Sequence, residues 1–203
     1  AGHLPIAMQV FRHYKNLPDE VRGASIAIGN FDGVHLGHRA VIGEAGRIAH
    51  NQSIPWTVLS FEPHPRSLFS SSNEAFRLTP FRTKVHHIEE LGVDNLIVLH
   101  FDKAFAALSA DDFVMKVLVE SLGARHVVSG YDFVFGNKRA GNCELLLHKS
   151  QDQGFDFTCV SPVDDGEIVY SSTRIRDYLK AGNPLEAAQL LGRPFEIDGR
   201  VEH

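Results

Sequence analysis

His35 and His38 stand three residues apart in the stretch Gly29-Asn30-Phe31-Asp32-Gly33-Val34-His35-Leu36-Gly37-His38. Two imidazoles at this spacing can face one anion, and their ring N–H groups can donate to phosphate oxygens. Ahead of them runs Ala24-Ser25-Ile26-Ala27-Ile28, an apolar strand pattern. Behind them Val41, Ala45, Ile48 and Ala49 recur at i, i+4, i+7 and i+8, a helical stripe. The histidines and glycines therefore sit where a strand turns into a helix. There an open α/β sheet binds nucleotide phosphates, because a helix N-terminus offers unpaired N–H groups and partial positive charge. Gly29 and Gly37 permit close approach of backbone to a nucleotide, and a tight strand-to-helix turn needs them equally. Asn30 and Asp32 either bond the nucleotide or cap the helix. Phe31 also fits a core position. A zinc pair or two plain surface histidines are the competing readings, and for zinc the sequence offers no nearby third ligand.

The stretch resembles the His-x-x-Gly-His signature of the nucleotidylyltransferases. With its Gly-Asn-Phe-Asp-Gly-Val lead it is similar to the FMN adenylyltransferase module of bacterial bifunctional riboflavin kinase/FAD synthetases. Phe61-Glu62-Pro63-His64-Pro65-Arg66 resembles that family's Phe-x-Pro-His-Pro loop. Gly130-Tyr131-Asp132-Phe133-Val134-Phe135-Gly136 resembles its Gly-x-Asp-Phe-x-Phe-Gly turn. Ser171-Ser172-Thr173-Arg174-Ile175-Arg176 resembles its late Ser-Ser-Thr-x-x-Arg motif. The four motifs keep family order over roughly residues 8 to 190. Val134 departs from the pattern, since the family often has Arg there; a phosphate or flavin contact is lost and the turn is kept.

The resemblance implies a reaction in which FMN and ATP give FAD and pyrophosphate, with magnesium bridging the ATP phosphates. It implies catalytic roles for His35, His38 and Arg176. ATP would meet Gly29, Asn30, Phe31, Asp32, His35, Gly37, His38, Ser172, Thr173 and Arg176. FMN would meet Phe61, Pro63, His64, Pro65, Arg66, Asp132 and Phe133. The magnesium ligands stay unassigned, because this ion keeps its waters and takes few protein ligands. The chemistry agrees with the residue types. The FMN phosphate, with a second pKa near ~6, is already mostly dianionic. Phosphoryl-type transfer then rests on positioning and charge neutralisation, so no general base is assigned. Arginine suits phosphate because its fork donates two parallel hydrogen bonds. Serine and threonine before a helical run are equally helix caps. The prolines at 63 and 65 fix a loop that is either a rigid turn or a wall for adenine or flavin. Lys138 and Arg139 form a basic loop that either closes on phosphates or is simply solvated. His86 and His87, beside Glu89 and Glu90, read as an exposed helix face. Other acceptors, such as phosphopantetheine or nicotinamide mononucleotide, would use the same phosphate chemistry. A flavin-nucleotide-binding module without catalysis is the non-enzyme alternative.

The elements that must position these groups alternate. Strand patterns lie at 24–28, 54–61, 95–100, 125–130 and 155–160. Helical patterns lie at 36–50, 80–91, 110–122 and 141–152, with Ser109 as a cap and Gly123 as a stop. Alternation predicts an α/β fold, a parallel sheet with helices on both faces; the resemblance implies that it is the Rossmann-like nucleotidylyltransferase fold. The chain has 203 residues, of which 43% are hydrophobic, enough for one domain with a substantial core. Residues 1–7 read as a tag or irregular tail, 8–190 as the adenylyltransferase domain, and 191–203 as the start of a truncated riboflavin kinase module. The formal charge of −5 disfavours a nucleic-acid partner. No apolar run approaches the roughly 20 residues of a membrane span. With no secretory leader pattern and two cysteines outside any Cys-x-x-Cys spacing, the reading is a cytoplasmic protein with reduced thiols.

Overall fold

The computed structural model describes residues 7–32, 34, 36–62, 81–163 and 166–171. Seven strands form one sheet in the order β1-β4-β3-β2-β5-β6-β7. They are β1 Gln9–Phe11, β2 Ser25–Ile28, β3 Trp56–Glu62, β4 Asn95–His100, β5 His126–Gly130, β6 Asp156–Val163 and β7 Gly166–Ser171. β1 to β6 pair in parallel, and β7 returns antiparallel along β6. The sheet is thus parallel except at this last edge. A connection as short as that between β6 and β7 can only make a hairpin, since parallel neighbours need a long crossover.

Alternate residues of the strands point to opposite faces. On one face Ile26, Ile28, Leu59, Phe61, Ile97 and Val127 pack with Phe113, Val117, Leu118, Leu146 and Leu147. These come from a helical segment running through Ala110–Asp112 and Phe113–Ser121, and from the helix Cys143–Gln153. On the other face Ala27, Val58, Leu96, Val98 and Val128 pack with Val41, Ile42, Ala45, Ile48 and Ile88. These come from α1, Leu36–Gln52, and α2, Phe81–Glu90. Helices therefore cover both faces, as the alternation predicts. The stripe read from the sequence is the buried side of α1.

Local signals act where the sequence places them. Ser109 Oγ accepts from Asp112 N at 3.0 Å, and Gly123 follows the segment with φ +55°. This segment is wider than an α-helix: Leu122 N donates to Val117 O, five residues back. Two elements are not announced by periodicity. β1 is only three residues long, and the helix Lys103–Ala106 is a single turn, capped by Asp102 at Phe105 N. Residues 1–6, 63–80 and those after 171 lie outside the described residues, and with them the boundary expected near 190.

Cys143 and Cys159 are free thiols, both buried, with Sγ atoms 3.2 Å apart. Burial pushes the Cys159 thiol well above its ordinary range. Neither should react with a thiol reagent in the native protein, because both are buried out of its reach and the Cys159 thiolate is disfavoured besides. The expected titration is no label under native conditions and two per chain in denaturant. Rapid stoichiometric labelling of the folded protein would contradict this packing.

Candidate active site

The chain runs β2, β3, β4 outward on one side and then returns to place β5 beside β2 on the other. The β2/β5 boundary is the switch point, where an open α/β sheet leaves a crevice at its carboxyl edge. Register puts Ile28 level with Leu59 on β3 and Ser129 on β5. The strand ends at Ile28, Glu62, His100 and Gly130 therefore lie along one edge.

After β2 the backbone turns sharply. Gly29 N still donates to Leu59 O at 3.2 Å, the last sheet bond of this strand. Phe31 follows with φ +51° and Val34 with φ +41°, both in the left-handed region that side chains disfavour. Phe31 folds back over the strand end: a Cβ at Gly29 would lie 2.9 Å from its ring. The missing side chain at Gly29 thus makes room for Phe31, which is 2% exposed. Of Phe31, the backbone is the part left to a nucleotide. His38 lies in the first turn of α1 and packs edge-on against Phe31, centroids 5.4 Å apart. Gly37, His38 and Asp32 are half-buried at this turn.

The Asn30 carbonyl accepts two hydrogen bonds, from Ser60 Oγ at 3.0 Å and from Lys84 Nζ at 2.7 Å. Lys84 reaches it from α2 and is 3% exposed, with Glu62 Oε1 3.6 Å from its ammonium. The Asn30 side-chain oxygen is buried and has no hydrogen-bond partner among the described residues. The same residue borders an apolar pocket lined by Phe61, Phe101, Phe105, Phe113, Phe133 and Phe135, with Val134 and Gly136 at its rim. Phe61 and Phe133 lie nearly parallel, interplanar angle 12°, as do Phe133 and Phe135 at 17°. Asp132 is exposed beside this wall, and its Oδ1 sits where a Cβ at Gly130 would be 3.2 Å away.

The structure thus brings Gly29, Asn30, Phe31, Asp32, Gly37, His38, Phe61, Asp132 and Phe133 to one sheet edge. His35, Pro63, His64, Pro65, Arg66, Ser172, Thr173 and Arg176 lie outside the described residues. Lys138 and Arg139 are exposed on a short turn. His86 and His87 both approach Glu90, at 3.0 and 3.8 Å, on the outer side of α2. Sequence reasoning missed Ser60, Lys84, Phe101, Phe105 and Phe113. The one signal for the pocket was Phe101 and Phe105 at i, i+4, which reads equally as core.

The family model for FAD synthetase matches residues 17–174. The chain belongs to the FAD synthetase family. Curated relatives agree. The bifunctional riboflavin kinase/FMN adenylyltransferase of Escherichia coli strain K12 is 39% identical over 199 residues, and that of Pseudomonas fluorescens 40% over 196. The protein of the same description from Haemophilus influenzae is 38% identical over 202 residues. Each match takes in 97% of this chain, which spans only 63 to 64% of the relatives' length. A solved structure described as a macrolide-efflux protein from Streptococcus pneumoniae superposes at TM-score 0.65 and 27% identity, over 92% of this chain and 60% of its own. Among the described residues no helix is long and apolar enough to cross a membrane. The FAD synthetase assignment rests on the region that contains the turn after β2 and the aromatic pocket.

Proposed function

We propose that this chain transfers the adenylyl group of ATP to FMN, giving FAD and pyrophosphate. An FMN phosphate oxygen attacks the α-phosphorus; the new P–O bond forms as the bond to the β-phosphate bridge breaks, and pyrophosphate carries the electron pair away. The observation that carries this reading is the aromatic pocket sharing Asn30 with the turn that opens α1. A planar apolar ring suits this aromatic-lined end of the sheet, while phosphates suit the N–H groups at the helix start. This favours flavin over phosphopantetheine, which carries no ring to stack.

In this reading His35, His38 and Arg176 neutralise charge as pyrophosphate leaves. Ser172 and Thr173 hold ATP phosphates, and Pro63, His64, Pro65 and Arg66 flank the flavin with Asp132. Among the described residues no group of three or more His, Cys, Asp or Glu is placed to hold a metal. Magnesium enters as MgATP, part of the substrate, because this ion keeps its waters and takes few protein ligands. The catalytic unit is the region 8–190, and its setting is the cytoplasm.

The test is direct. The 203-residue chain, given FMN and MgATP, should release FAD and pyrophosphate in equal amounts. Given riboflavin and MgATP, it should form no FMN. Absence of FAD would overturn the activity, and FMN made from riboflavin would overturn the restriction to one reaction. FMN binding without pyrophosphate release would identify a non-catalytic flavin module.

A further inference from the structure

A lysine is almost never fully buried unless it is paired, because its ammonium gives up hydration. Lys84 is 3% exposed, so its cost must be met by specific contacts. Its ammonium stands 2.7 Å from Asn30 O and 3.6 Å from Glu62 Oε1. Ser60 Oγ donates to the same carbonyl at 3.0 Å, so both lone pairs of that oxygen are engaged. The peptide that carries it is the Asn30–Phe31 unit, immediately before a residue at φ +51°. A non-glycine residue in that region persists only where its surroundings hold it. Because the peptide is planar and trans, fixing the carbonyl of Asn30 toward Lys84 turns the N–H of Phe31 the opposite way.

We propose that Lys84 is a positioning residue for nucleotide binding: by drawing the Asn30 carbonyl onto its ammonium it holds the Phe31 N–H toward the phosphates of ATP. The proposal rests on the adenylyltransferase reading above. Glu62 is the lysine's counter-charge and also lies at the strand end, so a purely structural role would consist of neutralising it. The two roles separate in a double variant. Lys84→Met leaves the Glu62 carboxylate beside an apolar chain and lowers stability. Adding Glu62→Gln removes that charge and should raise the melting temperature back toward wild type. The ATP-dependent kcat/KM of the double variant should nevertheless stay about 10- to 100-fold low, the worth of a charged hydrogen bond. FMN affinity should remain within about threefold, since the aromatic pocket is untouched. Recovery of kcat/KM together with the melting temperature overturns the proposal.

A second variant guards against misfolding. Ser60→Ala removes the other donor on the same carbonyl without touching a charge. A several-fold loss of kcat/KM for ATP at wild-type melting temperature is expected, and unchanged kinetics overturn the proposal. If the wild-type chain makes no FAD, the adenylyltransferase reading fails by itself. Lys84 is then judged by calorimetric MgATP titration, in which equal affinity for wild type and the double variant overturns the positioning role.

Discussion

His38→Ala should cut FAD turnover by about 10²- to 10³-fold, the usual worth of one preorganised donor to a developing charge. FMN affinity should stay within about threefold in the same variant. The reasoning runs from position. His38 lies in the first turn of α1, where the helix end already carries partial positive charge. Its ring is held edge-on by Phe31 at 5.4 Å, so it meets a nucleotide already oriented. A donor held this way acts mainly on charge that grows during pyrophosphate departure, which appears in kcat rather than in ground-state binding. The structural cost should be small, about 0.5–1.5 kcal/mol for a lost aromatic pair. A melting curve beside saturation kinetics and FMN titration separates the outcomes. Heavy loss of FMN affinity with near-normal turnover would make His38 a flavin contact and sink the assignment.

What the sequence made legible follows from period and spacing. The strand at residues 25–28 and the stripe on α1 were readable because each element has one buried pattern that repeats. The Ser109 cap and the Gly123 stop were readable because each satisfies a local backbone need. The short β1 and the antiparallel β7 were not, since three residues carry no period and strand direction is a property of pairing. The site divides the same way. Gly29, His38 and Phe133 belong to local motifs. Lys84 is separated from Asn30 by 54 positions, and one helical lysine among charged neighbours looks like a solvated side chain. Only the packing of α2 on the sheet turns it inward. The aromatic wall has the same origin: Phe61, Phe105, Phe113 and Phe135 come from four separate segments that meet at one end of the core.

The wall also sets the second large effect, which is expected at Gly136. This residue has φ +78° and ψ 172°, a region open essentially to glycine alone. A Cβ there would lie 2.6 Å from Ala110 Cα and 2.7 Å from Ala110 N. Those are backbone atoms of a capped helix start, so no side chain can swing aside. The next residue is tied in as well, with Asn137 N donating to Leu108 O at 2.8 Å. Gly136→Ala should therefore combine a strained backbone, about 1–3 kcal/mol, with overpacking of similar size. A loss of about 2–5 kcal/mol in unfolding free energy is expected from denaturant melts. Gly154→Ala is the uncrowded control: it also has φ +78°, but its ψ of 20° puts it in the milder left-handed helical region, and among the described residues nothing lies within 4 Å of its added Cβ. The control should lose about 1 kcal/mol. Function should follow the wall. Gly136 borders the aromatic pocket together with Leu108 and Phe135, so its displacement should weaken FMN binding at a temperature where the variant is still folded. MgATP affinity should change less, because among the described residues the turn that opens α1 meets the pocket only through Asn30. If Gly136→Ala melts early yet binds FMN as tightly as wild type, the flavin does not lie against this wall. If it melts like Gly154→Ala, the contact of the 131–136 loop with Ala110 is not part of the folded state.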